Sequence, residues 1–439
     1  MTTRMTTRPL SVIYLTSGAA GMYCGSCLRD NTLARSLLKL GCQVELLPTY
    51  TPIRTDEEDV SADRLFYGGI NVFLQQKLPL FRWLPRMFDG WLDWPRLVRR
   101  LANGRMATDA AQLGDLTVSL LRGEDGNQRK EVTRLVDYLA TVKPDIVNLS
   151  NLLIAGCVPA IKRRLGVPIF VTVQGDDLFL QDLPPTDRDL AIAEIRRLSG
   201  SIDAYVVFSD YYADFMSEWL GLPRDRFHKV ALGIDTRDFP PVQFDRDEHR
   251  PPTIGFLARH CPAKGFHVLV DAFLILRREL NVSARLHTAG WLGAGDQSFF
   301  DQQLAKIKSA GLADDFSYAG AVDRRQKIDF LQSLDVMSVP TVYREPKGLF
   351  VLEALAAGVP VVLPSHGAFP ELLASTGGGV LVPPNDSAQL ARTLADLLSS
   401  KNRRRELAEQ GHANVHRAHT AEYMARATLD LYQSVVPVA

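Results

Sequence analysis

The chain has 439 residues, 46% hydrophobic and 23% charged, more apolar material than one ordinary core holds, so two globular domains are expected. Fifty basic residues against fifty acidic ones leave no net charge, which removes any global attraction to nucleic acid or an anionic membrane. Five cysteines are too sparse for a secreted disulfide framework, and no apolar run reaches the length of a membrane span or a signal-peptide core, so a cytoplasmic enzyme is expected.

Ser11–Thr16 reads as a buried strand, followed by a Gly-rich loop, a helix from Asp30 to Lys39 and a second strand at Gln43–Pro48. This is a Rossmann-like opening, although the glycine spacing is not G-x-G-x-x-G. Cys24 and Cys27 form C-G-S-C at the apparent helix start, a position that lowers a thiol pKa. Small residues packed in a loop is the first reading, thiol–disulfide chemistry the second, and zinc the last, since no second ligand pair stands at the right spacing. Residues 77–105 carry three of the five tryptophans and seven basic residues against two acidic ones. The segment is read as an insertion packed on the first domain, with a peripheral contact at the inner membrane face or an acceptor-binding lid as the alternatives; Pro79, Pro85 and Pro95 prevent one long amphipathic helix.

Regularity returns with a helix at 131–141, a strand at 145–149, a helix at 159–165 and the strand VPIFVTV. Gln174, Asp176 and Asp177 stand at the end of that strand, where an open α/β sheet places ligand contacts; a solvated turn is the competing reading of the two aspartates. Strands follow at Asp203–Ser209 and Val230–Asp235, and the Pro- and charge-rich stretch beyond them reads as a linker. D-R-D occurs at 187–189 and 245–247, in what read as irregular charged segments, and neither copy is taken as a metal site.

The second half opens with the strand TIGFLA, a loop carrying Arg259, His260 and Lys264, and a helix from Phe266. His260 and His366 read as polar loop residues. Strands ending at Gly290 and Val322, a helix at 324–334 and a β-run at 334–340 lead to YREPKGLFVLEALAAGVPVVL. There a polar loop with Glu345, Pro346 and Lys347 precedes Gly348, which opens a helix ended by Gly358 and Pro360. Helix-start N–H groups and the positive end of the macrodipole favour an anion at Gly348, Leu349 and Phe350. Glu345 and Glu353 are eight residues apart; on one helix they would differ by roughly 80° and about 12 Å. Glu345 precedes the helix, so it is free to bend over the mouth while Glu353 reaches out from the second turn. A nucleoside diphosphate sugar fits that arrangement, its diphosphate at the helix start and its hydroxyl-rich ends on the two carboxylates. Helices at 387–399, 402–416 and 421–435 close the chain.

The stretch resembles the E-x7-E donor site of family 4 glycosyltransferases. The pattern is matched at Glu345, Gly348, Leu349, Glu353, Ala354, Ala356, Gly358, Pro360, Val361 and Val362, then at Pro370 and Glu371. Lys347 departs from the usual aromatic residue, and Gln174 stands where many members carry a histidine, so no general base is expected at that strand end. The resemblance extends to Arg259 and Lys264, the basic pair of G-R-x-x-x-x-K-G, and to Gly21 and Gly25 in the first Gly-rich loop. It implies an α/β fold of two Rossmann-like domains facing across a cleft, the GT-B architecture. Residues 1–238 would form the acceptor domain, 239–252 the linker and 253–420 the nucleotide-sugar domain, with the terminal helix 421–436 crossing back.

By that resemblance the enzyme is a retaining hexosyltransferase that needs no metal or other cofactor. A UDP- or GDP-sugar is the donor; the acceptor is a saccharide, a lipid-linked group or a small molecule, and nucleic acid is not a partner. Arg259, Lys264 and Glu345 are the expected catalytic residues. Glu353 would hold the ribose, and Pro346, Lys347, Gly348, Leu349, Phe350, Gly290 and Val322 would line the donor site. Gly21, Gly25, Gln174, Asp176 and Asp177 belong to the acceptor side. A sugar-nucleotide epimerase of the same fold and a non-catalytic nucleotide-sugar sensor are the alternatives.

Overall fold

The computed structural model describes residues 8–18, 24–82, 113–242 and 250–436. Gly21, the D-R-D copy at 245–247 and most of the tryptophan-rich stretch, residues 83–105, lie outside the described residues. The chain divides into two compact units, Met1–Val230 with Glu422–Ala439, and Ala231–Ala421.

The first unit is built on a six-stranded parallel sheet in the order β2-β1-β3-β4-β5-β6. The strands are β1 (Ser11–Thr16), β2 (Gln43–Pro48), β3 (Ile146–Leu149), β4 (Ile169–Thr172), β5 (Ala204–Val207) and β6 (Phe227–Lys229). The inner strands β1, β3, β4 and β5 are buried along their whole length because helices cover each side, which is why they read as largely apolar runs, while the edge strands β2 and β6 are part-exposed. Side chains alternate: Ile13, Val147, Val171 and Tyr205 enter one core, while Val12, Tyr14, Phe170 and Val206 enter the other. The second core takes in Met424, Ala425 and Tyr432 from the terminal helix, Ala421–Val435. The Tyr432 ring lies 4.8 Å from Phe170 and its hydroxyl donates to Asn148 Oδ1 at 3.0 Å.

Three expectations change in this unit. The strand expected at Val230–Asp235 is replaced by β6, since Phe227–Lys229 pairs with Tyr205–Val207 and buries Phe227 on Tyr205. The first helix starts at Gly25, five residues before the expected Asp30, with Cys24 as N-cap. Asp187–Asp189 is the first turn of a helix, Pro185–Leu198, because Pro185 with its fixed φ suits the opening position and Asp187 suits the dipole.

The second unit also holds a six-stranded parallel sheet, ordered β12-β11-β10-β7-β8-β9. Its strands are β7 (Thr253–Leu257), β8 (Arg285–Ala289), β9 (Phe316–Tyr318), β10 (Val336–Ser338), β11 (Val361–Pro364) and β12 (Gly379–Val382). Strand order reverses between β7 and β10. In an open parallel sheet the loops leaving such a pair splay apart and create a crevice at the carboxyl ends. The loop after β7 carries Arg259 and Lys264, and the loop after β10 carries Tyr343 and Glu345.

His260 is not a polar surface residue. It is 0% exposed and boxed by Phe256, Phe266, Phe300 and Tyr318, with ring centroids 4.7–5.2 Å away. Neither ring nitrogen has a hydrogen-bond partner among the described residues, and burial pushes its pKa down from 6.5 to about 4. The neutral ring packs as an aromatic. The unfolded chain takes up this proton as pH falls below 6.5 while the folded chain resists until about 4, so stability is lost through that window. His260→Phe is expected to gain about 3 kcal/mol relative to the parent between pH 7 and pH 4, read by urea unfolding at both values. An unchanged difference would show that His260 is already solvated.

Candidate active site in the C-terminal unit

The loops after β7 and β10 are stitched together by backbone. Val342 N–H donates to Ala263 O at 3.0 Å, and Gly265 has φ +73° with no room for a side chain, since a Cβ would lie 1.7 Å from Pro340 O. Gly265 begins the helix Phe266–Arg278. This close approach delivers Lys264 to Glu345: Lys264 Nζ donates to Glu345 Oε2 at 2.8 Å, and Tyr343 Oη donates to the same oxygen at 2.6 Å. Lys264 Nζ also reaches Tyr343 Oη directly and lies 5.5 Å from the Phe350 ring centroid. Glu345 is 4% exposed. Burial alone pushes its carboxyl up, but Lys264, the Tyr343 hydroxyl and Lys347 outweigh it and hold the group below its ordinary value.

The backbone of Glu345 is fixed from behind, its carbonyl accepting the Ala368 N–H at 2.8 Å from the loop after β11. His366 of that loop binds Thr341 O through Nε2 at 2.9 Å, which ties β11 to the same turn. Gly348, at φ +79°, caps the helix Leu349–Ala356 in the left-handed region, and a Cβ there would press on Leu372 and Phe369. Leu349 and Phe350 follow as its first residues, in the turn whose N–H groups have no intrahelical acceptors.

Glu353 occupies the second turn of that helix, buried, and its Oε1 accepts from Lys327 Nζ at 2.6 Å. Lys327 comes from the helix Arg324–Gln332, on the face that also buries Ile328 and Leu331. A lysine inside an apolar stripe is the one local sign that would have singled it out. Each glutamate therefore has its own lysine partner, Lys264 half-buried and Lys327 buried, and Lys347 and Pro346 are buried beside Glu345. Arg259 is half exposed, its Nε 3.9 Å from Asp296 Oδ2, so the loop's two cations differ: one half-buried and engaged with Glu345, one solvent-facing. Gly290 follows β8, its carbonyl accepting from Tyr318 Oη at 2.9 Å, and Val322 is half-buried just before the capping residue of the Lys327 helix.

The first unit places its expected residues differently. Gln174 is buried and donates to Asp30 Oδ1 at 3.2 Å and Ser150 O at 3.0 Å. Asp176 accepts the Leu152 and Gln174 N–H groups at 2.6 and 3.0 Å, and burial pushes its carboxyl up to about 6. Asp177 accepts from Tyr212 Oη at 2.5 Å. Both aspartates are buried and open the short helix Asp176–Gln181, which rules out a solvated turn. Gly25 is exposed as the first residue of its helix. None of the five cysteines is in a disulfide; the neighbouring Cys24 sulfur, with burial, holds the Cys27 thiol well above its ordinary range, opposite to the lowering expected at a helix start. No helix among the described residues is long and apolar enough to cross a membrane.

Known structures share this arrangement of two sheets. A sucrose-phosphate synthase from Thermosynechococcus elongatus superposes with a TM-score of 0.70 at 18% identity, over 97% of this chain and 99% of that one. HepE of Anabaena, solved with UDP and glucose, gives 0.67 at 16% identity over 97% and 100%. The fold is that of the GT-B glycosyltransferases, two Rossmann-like domains in one chain. Two family models match successive stretches, Glycosyltransferase Family 4 at residues 118–238 and Glycosyl transferases group 1 at residues 242–413. Residues 118–238 and 242–413 are thus each similar to a glycosyltransferase family, the first of the family 4 type. Among curated relatives, a phosphatidyl-myo-inositol mannosyltransferase of Mycobacterium leprae is 31% identical over 48% of this chain and 56% of its own. The mannosylfructose-phosphate synthase of Agrobacterium fabrum is 28% identical over 44% of each. The matched region spans about half the length of these relatives.

Proposed function

We propose that the protein transfers a hexosyl group from a nucleoside diphosphate sugar to an acceptor hydroxyl with retention of configuration. The observation that carries this reading is the Lys264–Glu345 pair at the β7/β10 crevice, a half-buried ammonium on a buried carboxylate, beside the start of the Leu349 helix. A half-buried cation and an open helix start suit a diphosphate, whose charge grows as the bond from the anomeric carbon to the β-phosphate oxygen breaks. Arg259 is the second cation, with its exposed guanidinium available to the outer phosphate oxygens. As diphosphate takes over Lys264, Glu345 is released to accept hydrogen bonds from sugar hydroxyls. Glu353, with Oε1 on Lys327, keeps Oε2 for the ribose diol. Gly290 and Val322 lie on the loops after β8 and β9 and would border the base. The role of Gly25 toward the acceptor rests on the family resemblance. The mannosyl-transferring relatives and the UDP- and glucose-bound neighbour agree with a nucleotide-sugar donor.

The glutamates are expected to separate by function. Glu353→Ala should weaken binding of the plain nucleoside diphosphate by about 10- to 150-fold, the cost of roughly 1.5–3 kcal/mol for charge-assisted bonds to ribose. Glu345→Ala should leave that affinity undiminished, since Lys264 loses a competing anion, while kcat falls about 100-fold or more. Calorimetry with UDP and GDP, beside turnover of UDP- and GDP-hexoses, measures both. Equal loss of diphosphate affinity in the two variants would overturn the assignment. The same turnover assay separates the alternatives: an epimerase releases isomerised sugar without acceptor, and a sensor binds donor without consuming it.

A further inference from the structure

Lys327 and Glu353 form an ion pair between two helices, with 6% and 7% of each residue exposed and an N–O distance of 2.6 Å. Lysine is almost never this buried without a purpose, and taking two charges from water costs several kcal/mol per ion before their attraction returns it. For packing alone, two apolar side chains of similar volume would serve at least as well. The neighbours of Lys327 are such residues, Ile328 and Leu331, both buried on the same helix face. A charge kept at this position therefore points to a need for the carboxylate it holds. The bond is made to Oε1, in line with the short, strong geometry of a charge-assisted pair, and it restricts the Glu353 side chain to one orientation. A glutamate held in this way presents Oε2 with both lone pairs directed by the rest of the pair.

We propose that Lys327 is a positioning residue for ribose recognition: by pairing with Oε1 it holds Glu353 in one orientation, and thereby sets a preference for ribonucleoside over 2′-deoxyribonucleoside diphosphates. This rests on the reading of Glu353 as the ribose contact. With Oε2 fixed, the 2′- and 3′-hydroxyls each donate to a charged oxygen, and loss of the 2′-hydroxyl forfeits one of these bonds. Without Lys327, the buried carboxylate loses its ion-pair anchor and swings toward water, which does not favour the diol.

The test is calorimetry of UDP against dUDP and GDP against dGDP on the parent, Glu353→Gln, Lys327→Met and Lys327→Arg. The parent should prefer the ribonucleotide by about 10-fold or more, the worth of one charge-assisted bond. Glu353→Gln and Lys327→Met should both bring the preference to within about threefold, Lys327→Arg should restore most of it, and the double variant should be no worse than Glu353→Gln alone. With the full donor, Lys327→Met should raise KM more than it lowers kcat. If Lys327→Met keeps the parental preference, or weakens ribo and deoxy forms equally, the lysine is structural and the proposal falls. If Glu353→Gln itself keeps the preference, the ribose reading of Glu353 fails instead. Should Lys327→Met not fold, Lys327→Gln is read against the same outcomes.

Discussion

Lys264→Ala is expected to lower kcat/KM for the nucleotide sugar by about 1,000-fold or more, and two separate losses add up to that figure. The first is the cation facing the departing diphosphate; removing one preorganised group that stabilises developing charge typically costs about 100- to 1,000-fold. The second is the countercharge of Glu345. That carboxylate is buried and is left with the Tyr343 hydroxyl and the Lys347 charge once Lys264 is gone. An uncompensated buried charge costs about 3–5 kcal/mol, and here it also repels the incoming diphosphate. The repulsive part is separable. In the Lys264→Ala/Glu345→Ala double variant, affinity for UDP or GDP should recover toward the parental value while kcat stays low, because the anion is removed but the catalytic cation is not restored. Calorimetry and initial rates on the two variants suffice. A Lys264→Ala enzyme within tenfold of the parent would end the role of Lys264 as the phosphate cation.

Gly265→Val is expected to destabilise the second unit by about 4 kcal/mol or more, among the largest effects a single substitution produces. Valine at φ +73° is strained whatever the space, at about 1–2 kcal/mol and more for a β-branched side chain. Its Cβ would also lie 1.7 Å from Pro340 O, so the two loops must part. Gly311 is the comparison: it has nearly the same φ, +72°, but nothing lies within 4 Å of a Cβ there. Gly311→Val should show only the backbone term. Urea midpoints of the two variants isolate the clash, and a difference under about 1 kcal/mol would mean that the loops do not touch. Because separation of the loops withdraws Lys264 from Glu345, Gly265→Val should also lose diphosphate binding under conditions where it remains folded.

How much of this was legible beforehand depends on the range over which each feature is encoded. Strands Ser11–Thr16 and Gln43–Pro48 and the helices at 387–399 and 421–435 stood out because their burial is written in consecutive or regularly spaced apolar residues. The helix opened by Gly348 was legible for the same local reason, whereas the left-handed φ of that glycine came from the structure. The helices Pro185–Leu198 and Gln297–Ser309 were missed because charged and amide side chains interrupt their apolar stripes.

What the tertiary structure alone decided is who faces whom. Lys264 and Glu345 are 81 residues apart, and Lys327 and Glu353 are 26 apart. Each pair exists because parallel crossovers return the chain to one edge of the sheet, with strand order reversing between β7 and β10. The same closure buried residues that sequence left at the surface. His260 fills a box of rings drawn from four separate positions, and Gln174 and Asp176 are consumed by backbone and side-chain partners from neighbouring loops. Periodicity tells a residue which side of its own element is dry. Which charge waits on the other side depends on loop closures spanning tens of residues, and no local pattern carries that information.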